Sequence, residues 1–246
     1  MSDFEGASVL VTGGSRGIGL AIARRFAELG AGRVAIVYLR NDRAAEAAAA
    51  ELRELGAEAV LLRGNVASER VAREAAELGS FQVLVHSAAT GVIRPALETE
   101  DKHWDWTLAA NARALLSFAR ALVPAMPPGG SIVGLSSLGS VRVLENYGLV
   151  GASKAAMEAV VRHLGVELAP RGIRANAVSA GLVDTEALEH FPNRERMLEG
   201  ARTRTPAGRM VEPDDVARAV TFLCSPDAAM IVGHTLVVDG GYSLLV

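Results

Sequence analysis

Apolar and polar positions fall along the chain in blocks whose spacing predicts a regular succession of strands and helices. A short apolar run at residues 7–11 leads into the glycine-rich turn Thr12-Gly13-Gly14-Ser15-Arg16-Gly17-Ile18-Gly19. An Ala/Ile/Phe-rich helical pattern follows to Leu29, where Gly30 supplies a positive-φ stop. A β-branched strand is predicted over 33–39, a helix over 42–55 stopped by Gly56, a third strand over 59–62, a helix over 69–78 and a fourth strand over 81–86. A long helical region covers 100–125 and ends at Pro127-Pro128-Gly129-Gly130. The pattern then gives strand five at 131–135, a long helix at 147–168 and strand six at 174–178. A helix at 213–223, opened by Glu212-Pro213, and a seventh strand at 235–238 complete it. Strands that alternate with helices and are apolar on both faces predict an α/β fold, a doubly wound seven-stranded parallel sheet flanked by helices on both faces. No composition break or fixed-period repeat divides residues 1–246, so one domain is expected. The least regular part, 181–209, lies where such sheets carry ligands and is expected to be a substrate lid.

Composition narrows the function classes. The chain of 246 residues is half apolar and rich in Ala and Gly, which suits tight helix-on-sheet packing. A net charge of −3 and a pI near 6.0 argue against a general nucleic-acid binder. Cys224 is the sole cysteine, which excludes an intramolecular disulfide and a cysteine-based metal site, and no metal is expected. Asp3 and Glu5 precede the first strand where a signal peptide would be basic, and no apolar run reaches bilayer length. A cytoplasmic location away from membranes is therefore expected.

Two stretches carry chemistry. The glycine cluster sits between a strand and a helix, so its backbone can approach phosphates closely, and the helix N-terminus adds free N–H groups and positive potential. The second stretch runs from Ser136 to Lys154. Tyr147 and Lys154 are nearly two helical turns apart and share a face, about 10 Å apart along the axis. Val150 and Gly151 lie between them and carry no side-chain proton; Gly151 is expected to leave a notch for a flat ligand. A lysine reaching back toward the phenol would favour phenolate and lower the tyrosine pKa.

The spacing Thr12-Gly13-(three residues)-Gly17-Ile18-Gly19 resembles that of the short-chain dehydrogenase/reductase superfamily, and the resemblance extends through the whole chain. It implies a Rossmann-type fold and a dinucleotide cofactor held by Gly13, Ser15, Arg16, Gly17, Ile18 and Gly19. In that family an acidic residue at the end of the second strand binds the NAD ribose. Here Tyr38-Leu39-Arg40-Asn41 offers none until Asp42, and Arg16 and Arg40 suit a 2′-phosphate instead, so NADPH is expected. Asn65 and Val66, expected to end strand three, stand at the family position beside the adenine, where an Asp-Val pair is more usual. Ser87, Ala88 and Ala89 let the cofactor lie close, after His86, which departs from the family asparagine and reads as structural. Asn111 matches the helix asparagine that holds a proton-relay water against the catalytic lysine. Ser179-Ala180-Gly181-Leu182-Val183-Asp184-Thr185 resembles the loop that grips the nicotinamide carboxamide, with Gly181, Val183 and Thr185 as contacts.

Most members of the superfamily carry Tyr-x-x-x-Lys, but four residues before Lys154 stands Val150. Tyr147 and Lys154 instead make Tyr-x6-Lys, the spacing of enoyl-acyl-carrier-protein reductases. The segments 136–140, 144–147, 185–194 and 205–211, with His103-Trp104-Asp105-Trp106-Thr107, resemble the NADPH-dependent type III of these enzymes. The implied reaction, part of fatty-acid biosynthesis or a related pathway, is hydride delivery to the β-carbon of a trans-2-enoyl thioester. Tyr147 would stabilise the enolate oxygen, Lys154 would hold the ribose and add positive potential, and Ser137 would assist the oxygen or shape the pocket. Arg194, Arg196, Arg202, Arg204 and Arg209 form either a basic rim that steers an acidic acyl carrier protein or a solvated arginine face, with a coenzyme A thioester as the other carrier. Leu188, Phe191, Met197 and Leu198 are read either as the lining of an acyl channel or as core residues at helical spacing. The resemblance implies a homotetramer. A ketoreductase, or a reductase of another activated alkene in secondary metabolism, is the alternative on the same fold; a nucleotide-binding regulator without catalysis is a third.

Overall fold

The structure is a computed structural model and describes residues 4–190 and 193–245. Seven strands form one parallel sheet: β1 (Ser8–Thr12), β2 (Arg33–Tyr38), β3 (Glu58–Arg63), β4 (Val83–His86), β5 (Ser131–Ser137), β6 (Arg174–Ala180) and β7 (Thr235–Val238). Their order in space is β3-β2-β1-β4-β5-β6-β7, the doubly wound, Rossmann-type arrangement. The chain reverses its direction of travel across the sheet between β1 and β4, where Val9, Leu10, Val11 and Thr12 lie opposite Val83, Leu84, Val85 and His86.

Each central strand is apolar on both faces because both faces are covered. In β1, Val9 and Val11 pack into one core with α1 (Gly17–Glu28), α2 (Asp42–Glu54) and α8 (Pro213–Cys224). Leu10 points the other way, into a core with α3 (Glu69–Glu77), α5 (Ala114–Leu122) and α6 (Gly148–Leu168). Phe26, Phe81, Phe118 and Met157 are among the largest fully buried side chains, and burial of each contributes about 1.5–3 kcal/mol.

Four departures from the expected elements matter for the site. The helical region 100–125 is α4 (Asp101–Leu108), a π-helical turn (Ala109–Arg113) and then α5; the turn carries Asn111. Strand β5 continues to Ser137 instead of stopping at 135, pairing Ser136 with Ser179 and Ser137 with Ala180. Tyr147 is the N-cap residue of α6, not a residue within it. Asn65 and Val66 lie beyond the end of β3. In segment 181–209, Val183 bridges to Val211, a 3-10 turn covers Glu186–His190 and α7 spans Arg194–Arg204. Asp3, Phe191 and Pro192 lie outside the described residues. Among those described, no helix is long and apolar enough to cross a membrane and no cluster of side chains suits a metal.

Candidate active site at the carboxyl edge of the sheet

The glycine turn forms where β1 ends at the switch point. Gly13 has φ +70°, and a Cβ there would lie 2.9 Å from the Ala88 backbone, so only glycine permits this approach of the two loops. Its N–H donates to the Val37 carbonyl at 2.8 Å. The Ala88 N–H donates to Thr12 Oγ1 at 3.2 Å, and Ser87 N–H to the Thr12 carbonyl at 3.2 Å. The bare backbone of the turn and the N-terminus of α1 make a cradle that fits a pyrophosphate. Gly181 is tied to Val238, and a Cβ on it would meet Asp239 at 3.0 Å. Thr185 lies against Gly17, its Cγ2 3.4 Å from where a Cβ on that glycine would stand, so segment 181–185 closes over the turn.

His86 is fully buried beside this turn. Its Nε2 is 3.0 Å from the Ala110 carbonyl, which can only accept, so Nε2 carries the proton. Nδ1 then accepts from the Thr12 hydroxyl at 2.9 Å. Burial, and secondarily the Lys154 charge, pull its pKa from 6.5 down to about 4, so the ring is neutral.

The Asn111 amide gives both protons away, to the Thr90 carbonyl and to Ser153 Oγ, each at 2.8 Å, and accepts from Thr90 N–H at 2.8 Å. No side-chain proton is left for the relay water that the family resemblance assigns to it. Ser153 passes the chain on to the Val150 carbonyl at 2.7 Å. The Val150 side chain is buried and occupies the space that a Cβ on Gly91 would need.

The end of β5 is a rack for the groups of α6. Lys154, buried, donates to the Leu135 carbonyl at 2.6 Å. Ser136 donates to the carboxylate of buried Glu158 at 2.5 Å. Ser137 Oγ lies 3.3 Å from the Tyr147 hydroxyl. Burial pulls the Lys154 ammonium down to about 8 against the opposing field of Glu158. Burial likewise raises the Tyr147 phenol above its ordinary value, only partly opposed by Ser137. This corrects the expectation that the lysine lowers the tyrosine: the amine is bound to strand β5, and desolvation dominates. The phenol is therefore a neutral donor. Gly151 is corrected as well. A Cβ there would lie 2.5 Å from the Gly139 carbonyl, so its missing side chain admits the 138–140 turn and not a ligand. Gly139 in turn leaves room for the Tyr147 ring.

Around the rim, four of the arginines expected to bind or steer are ion-paired. Arg16 forms an ion pair with Glu186, Arg194 with Asp184 and Glu195 (both 2.8 Å), Arg196 with Glu145 (2.6 Å) and Arg209 with Asp215 (2.6 Å). Arg204 lies over the Tyr242 ring. Three of the five expected rim arginines are thus ion-paired, while Arg202, and Arg40 past the end of β2, are exposed. Ser15 and Ile18 lie in the turn and the first turn of α1, with Ala89 exposed after β4. Asn65 Oδ1 accepts from Ala67 N–H at 3.0 Å and turns the chain toward α3. Leu188 and Leu198 are buried, as core residues are, while Met197 is half-buried; Phe191 is not among the described residues. Glu158 is the functional candidate that sequence reasoning missed. Its only signal is a carboxylate one turn after Lys154 on an apolar face.

A family model described as enoyl-(acyl carrier protein) reductase matches residues 13–243. The 1-cyclohexenylcarbonyl-CoA reductase of Streptomyces collinus is 37% identical over 243 residues, 96% of this chain and 86% of that protein. A short-chain dehydrogenase from Burkholderia cenocepacia, solved with NADP, is 34% identical with a TM-score of 0.90 and covers 98% of this chain and 99% of its own. The Bacillus cereus enoyl-acyl carrier protein reductase, solved with NADP+ and indole naphthyridinone, is 28% identical, has a TM-score of 0.93 and covers 100% of both chains.

Proposed function

The chain belongs to the short-chain dehydrogenase/reductase superfamily, and from that premise we propose that it is an NADPH-dependent reductase of trans-2-enoyl thioesters. The observation that carries this reading is the Tyr147 phenol. It is neutral, half-buried and beside Ser137 at the carboxyl end of β5, whereas the position one turn before Lys154 is filled by buried Val150. A neutral donor there suits an oxygen that gains charge during the reaction, because its bond strengthens from ground state to transition state.

The cofactor site is assigned to Gly13, Ser15, Arg16, Gly17, Ile18 and Gly19 for the pyrophosphate, with Arg16 and Arg40 for the 2′-phosphate. Asn65 and Val66 are assigned to the adenine; Ser87, Ala88, Ala89, Gly181, Val183 and Thr185 to the nicotinamide end. The cradle left bare at Gly13 fits such a group. When bound, NADPH supplies hydride to the β-carbon of the enoyl thioester. Tyr147 donates to the thioester oxygen as it becomes an enolate, with Ser137 orienting the phenol. Lys154 holds the ribose hydroxyls and adds positive potential, and Asn111 ties the π-helical turn to α6 through Ser153. A proton from solvent, taken up at the α-carbon of the enolate, would then give the saturated thioester. Segment 181–209 is assigned as the lid over the acyl group.

Coenzyme A is favoured over an acyl carrier protein as the thioester carrier, because three of the five lid arginines that would steer an acidic protein, Arg194, Arg196 and Arg209, are ion-paired. The similarity to a CoA-thioester reductase supports the same choice. We also propose a homotetramer.

Purified protein assayed with NADPH against crotonyl-CoA, crotonyl-acyl carrier protein and acetoacetyl-CoA tests the reading. Reduction of the alkene is expected, with the CoA ester the better substrate. Tyr147→Phe should lower kcat by about 10²–10³-fold while NADPH affinity stays within about twofold. Turnover of the ketone alone would overturn alkene reduction.

A further inference from the structure

Lys154 and Glu158 stand one helical turn apart on α6, and both side chains are buried against strand β5. Each is held by a successive residue of that strand. The Lys154 ammonium donates to the Leu135 carbonyl at 2.6 Å, and the Glu158 carboxylate accepts from the Ser136 hydroxyl at 2.5 Å. A buried amine with one hydrogen bond sheds its proton readily, since desolvation disfavours the charged form. A buried carboxylate without a compensating charge is costly for the same reason. The carboxylate lies one helical turn from the amine and its field favours the charged amine, while β5 anchors both groups through successive residues. The remaining charged or titratable groups facing Lys154 do not substitute for Glu158 among the described residues. His86, on β4, is neutral, with its Nε2 proton directed at Ala110. Tyr147, at the N-cap of α6, is a neutral phenol. Strand β5 presents the Leu135 carbonyl, and the π-helical turn presents Asn111, neither of which ionises.

We propose that Glu158 is a positioning residue for the reaction: its carboxylate, anchored by Ser136, is the fixed counter-charge that keeps Lys154 an ammonium ion on β5. The consequence for cofactor binding rests on the assignment of Lys154 to the ribose made above; the counter-charge itself does not. Without Glu158 the amine becomes neutral near physiological pH, and the site loses its positive potential beside the developing enolate.

The chain contains two lysines, Lys102 and Lys154, which makes the amine directly observable. Full-length protein carrying 13C at lysine Cε should give two side-chain resonances, with that of Lys154 identified by its loss in Lys154→Arg. In the wild type the Lys154 resonance is expected to titrate at about 8. In Glu158→Gln, and in the apolar Glu158→Met should the amide variant not fold, that midpoint should fall by about one unit or more while Lys102 stays put. NADPH titration of the same proteins should show affinity within about twofold of wild type at pH 6 and several-fold weaker at pH 8.5. An unmoved Lys154 midpoint in a folded Glu158 variant overturns the proposal, as does affinity lowered equally at both pH values with the midpoint unchanged, which marks a structural role. A lowered midpoint with affinity unchanged at every pH upholds the counter-charge and overturns the ribose assignment of Lys154.

Discussion

At the scale of single residues, His86 gives the clearest test of the geometry. Its pKa in the fold is about 4, against 6.5 unfolded, so between these values the unfolded chain binds a proton that the native ring refuses. The stability that His86 contributes is complete above pH 6.5, declines as pH falls to about 4 and is flat below that. The shift corresponds to roughly 3 kcal/mol. Asp215, held at about 2 by Arg209, loses its share at lower pH, between 3.8 and 2, so the two windows are separate. Urea denaturation from pH 7 to pH 4 should show this slope in the wild type and lose most of it in His86→Asn; an unchanged slope would assign the acid sensitivity elsewhere. The residue reads as structural from the sequence, although it stands at the end of β4 where the family has an asparagine. The Tyr147–Lys154 relationship was less legible. Spacing placed both on one helical face, and both do lie at the end of β5. Spacing says nothing about where the amine turns, and the Leu135 carbonyl, nineteen residues away in sequence, captures it. The direction of the tyrosine shift was therefore misread.

At the scale of elements, the site is a junction between the end of β5, the 138–140 turn and the start of α6, and its tolerance for extra atoms is small. Asn146 adopts φ +61°, a left-handed conformation unusual for a residue other than glycine, and so sets Tyr147 at the N-cap of α6. The Gly139 carbonyl lies where a Gly151 Cβ would stand, and Gly139 itself faces the Tyr147 ring. Gly151→Ala must push back the turn against which the phenol rests, because backbone, not a flexible side-chain tip, is in the way. The expected result is a loss of kcat of about tenfold to a hundredfold, with NADPH affinity within about twofold of wild type. Gly200→Ala, on α7 with open space around its Cα, should leave kcat unchanged and stabilise the helix by up to about 1 kcal/mol. Steady-state kinetics and thermal melts on both variants check the contrast; equal kcat in Gly151→Ala would mean the turn is free to move. The strand–helix alternation was legible because apolar runs and glycine stops are local signals. The π-helical turn was not. An unbroken helical pattern over 100–125 does not reveal that Asn111 is drawn to both Thr90 and Ser153, and those contacts span the fold. The extension of β5 through two serines is hidden for the same reason, since it depends on pairing with Ser179 and Ala180 of β6.

At the scale of the whole molecule, two surfaces are more apolar than a lone chain of this size needs. Trp104 and Trp106 on α4 are each about half exposed, at 48% and 47%. On the opposite side of the sequence, the edge strand β7 and the residues around it expose Met230, Val232, Val237, Leu244 and Leu245. An open edge strand bearing apolar groups invites pairing, and large exposed aromatic residues mark association surfaces. One such patch, matched to itself across a two-fold axis, gives a dimer. Two different self-matching patches give a closed tetramer with dihedral symmetry, which is why a tetramer and not a dimer is the expected assembly. Light scattering on the purified protein should return four times the 25.7 kDa chain mass. Trp106→Glu and Val237→Glu should each yield dimers, because each removes one patch and leaves the other. A monomeric wild type, or tetramers that persist in both variants, would refute the assignment. The two dimers should also differ in activity. Helix α4 runs directly into the π-helical turn that carries Asn111, whereas β7 borders the sheet away from Tyr147 and Lys154. Trp106→Glu is thus expected to lower kcat as well as oligomer size, through loosening of that turn, and Val237→Glu to halve the assembly with kcat close to that of the tetramer.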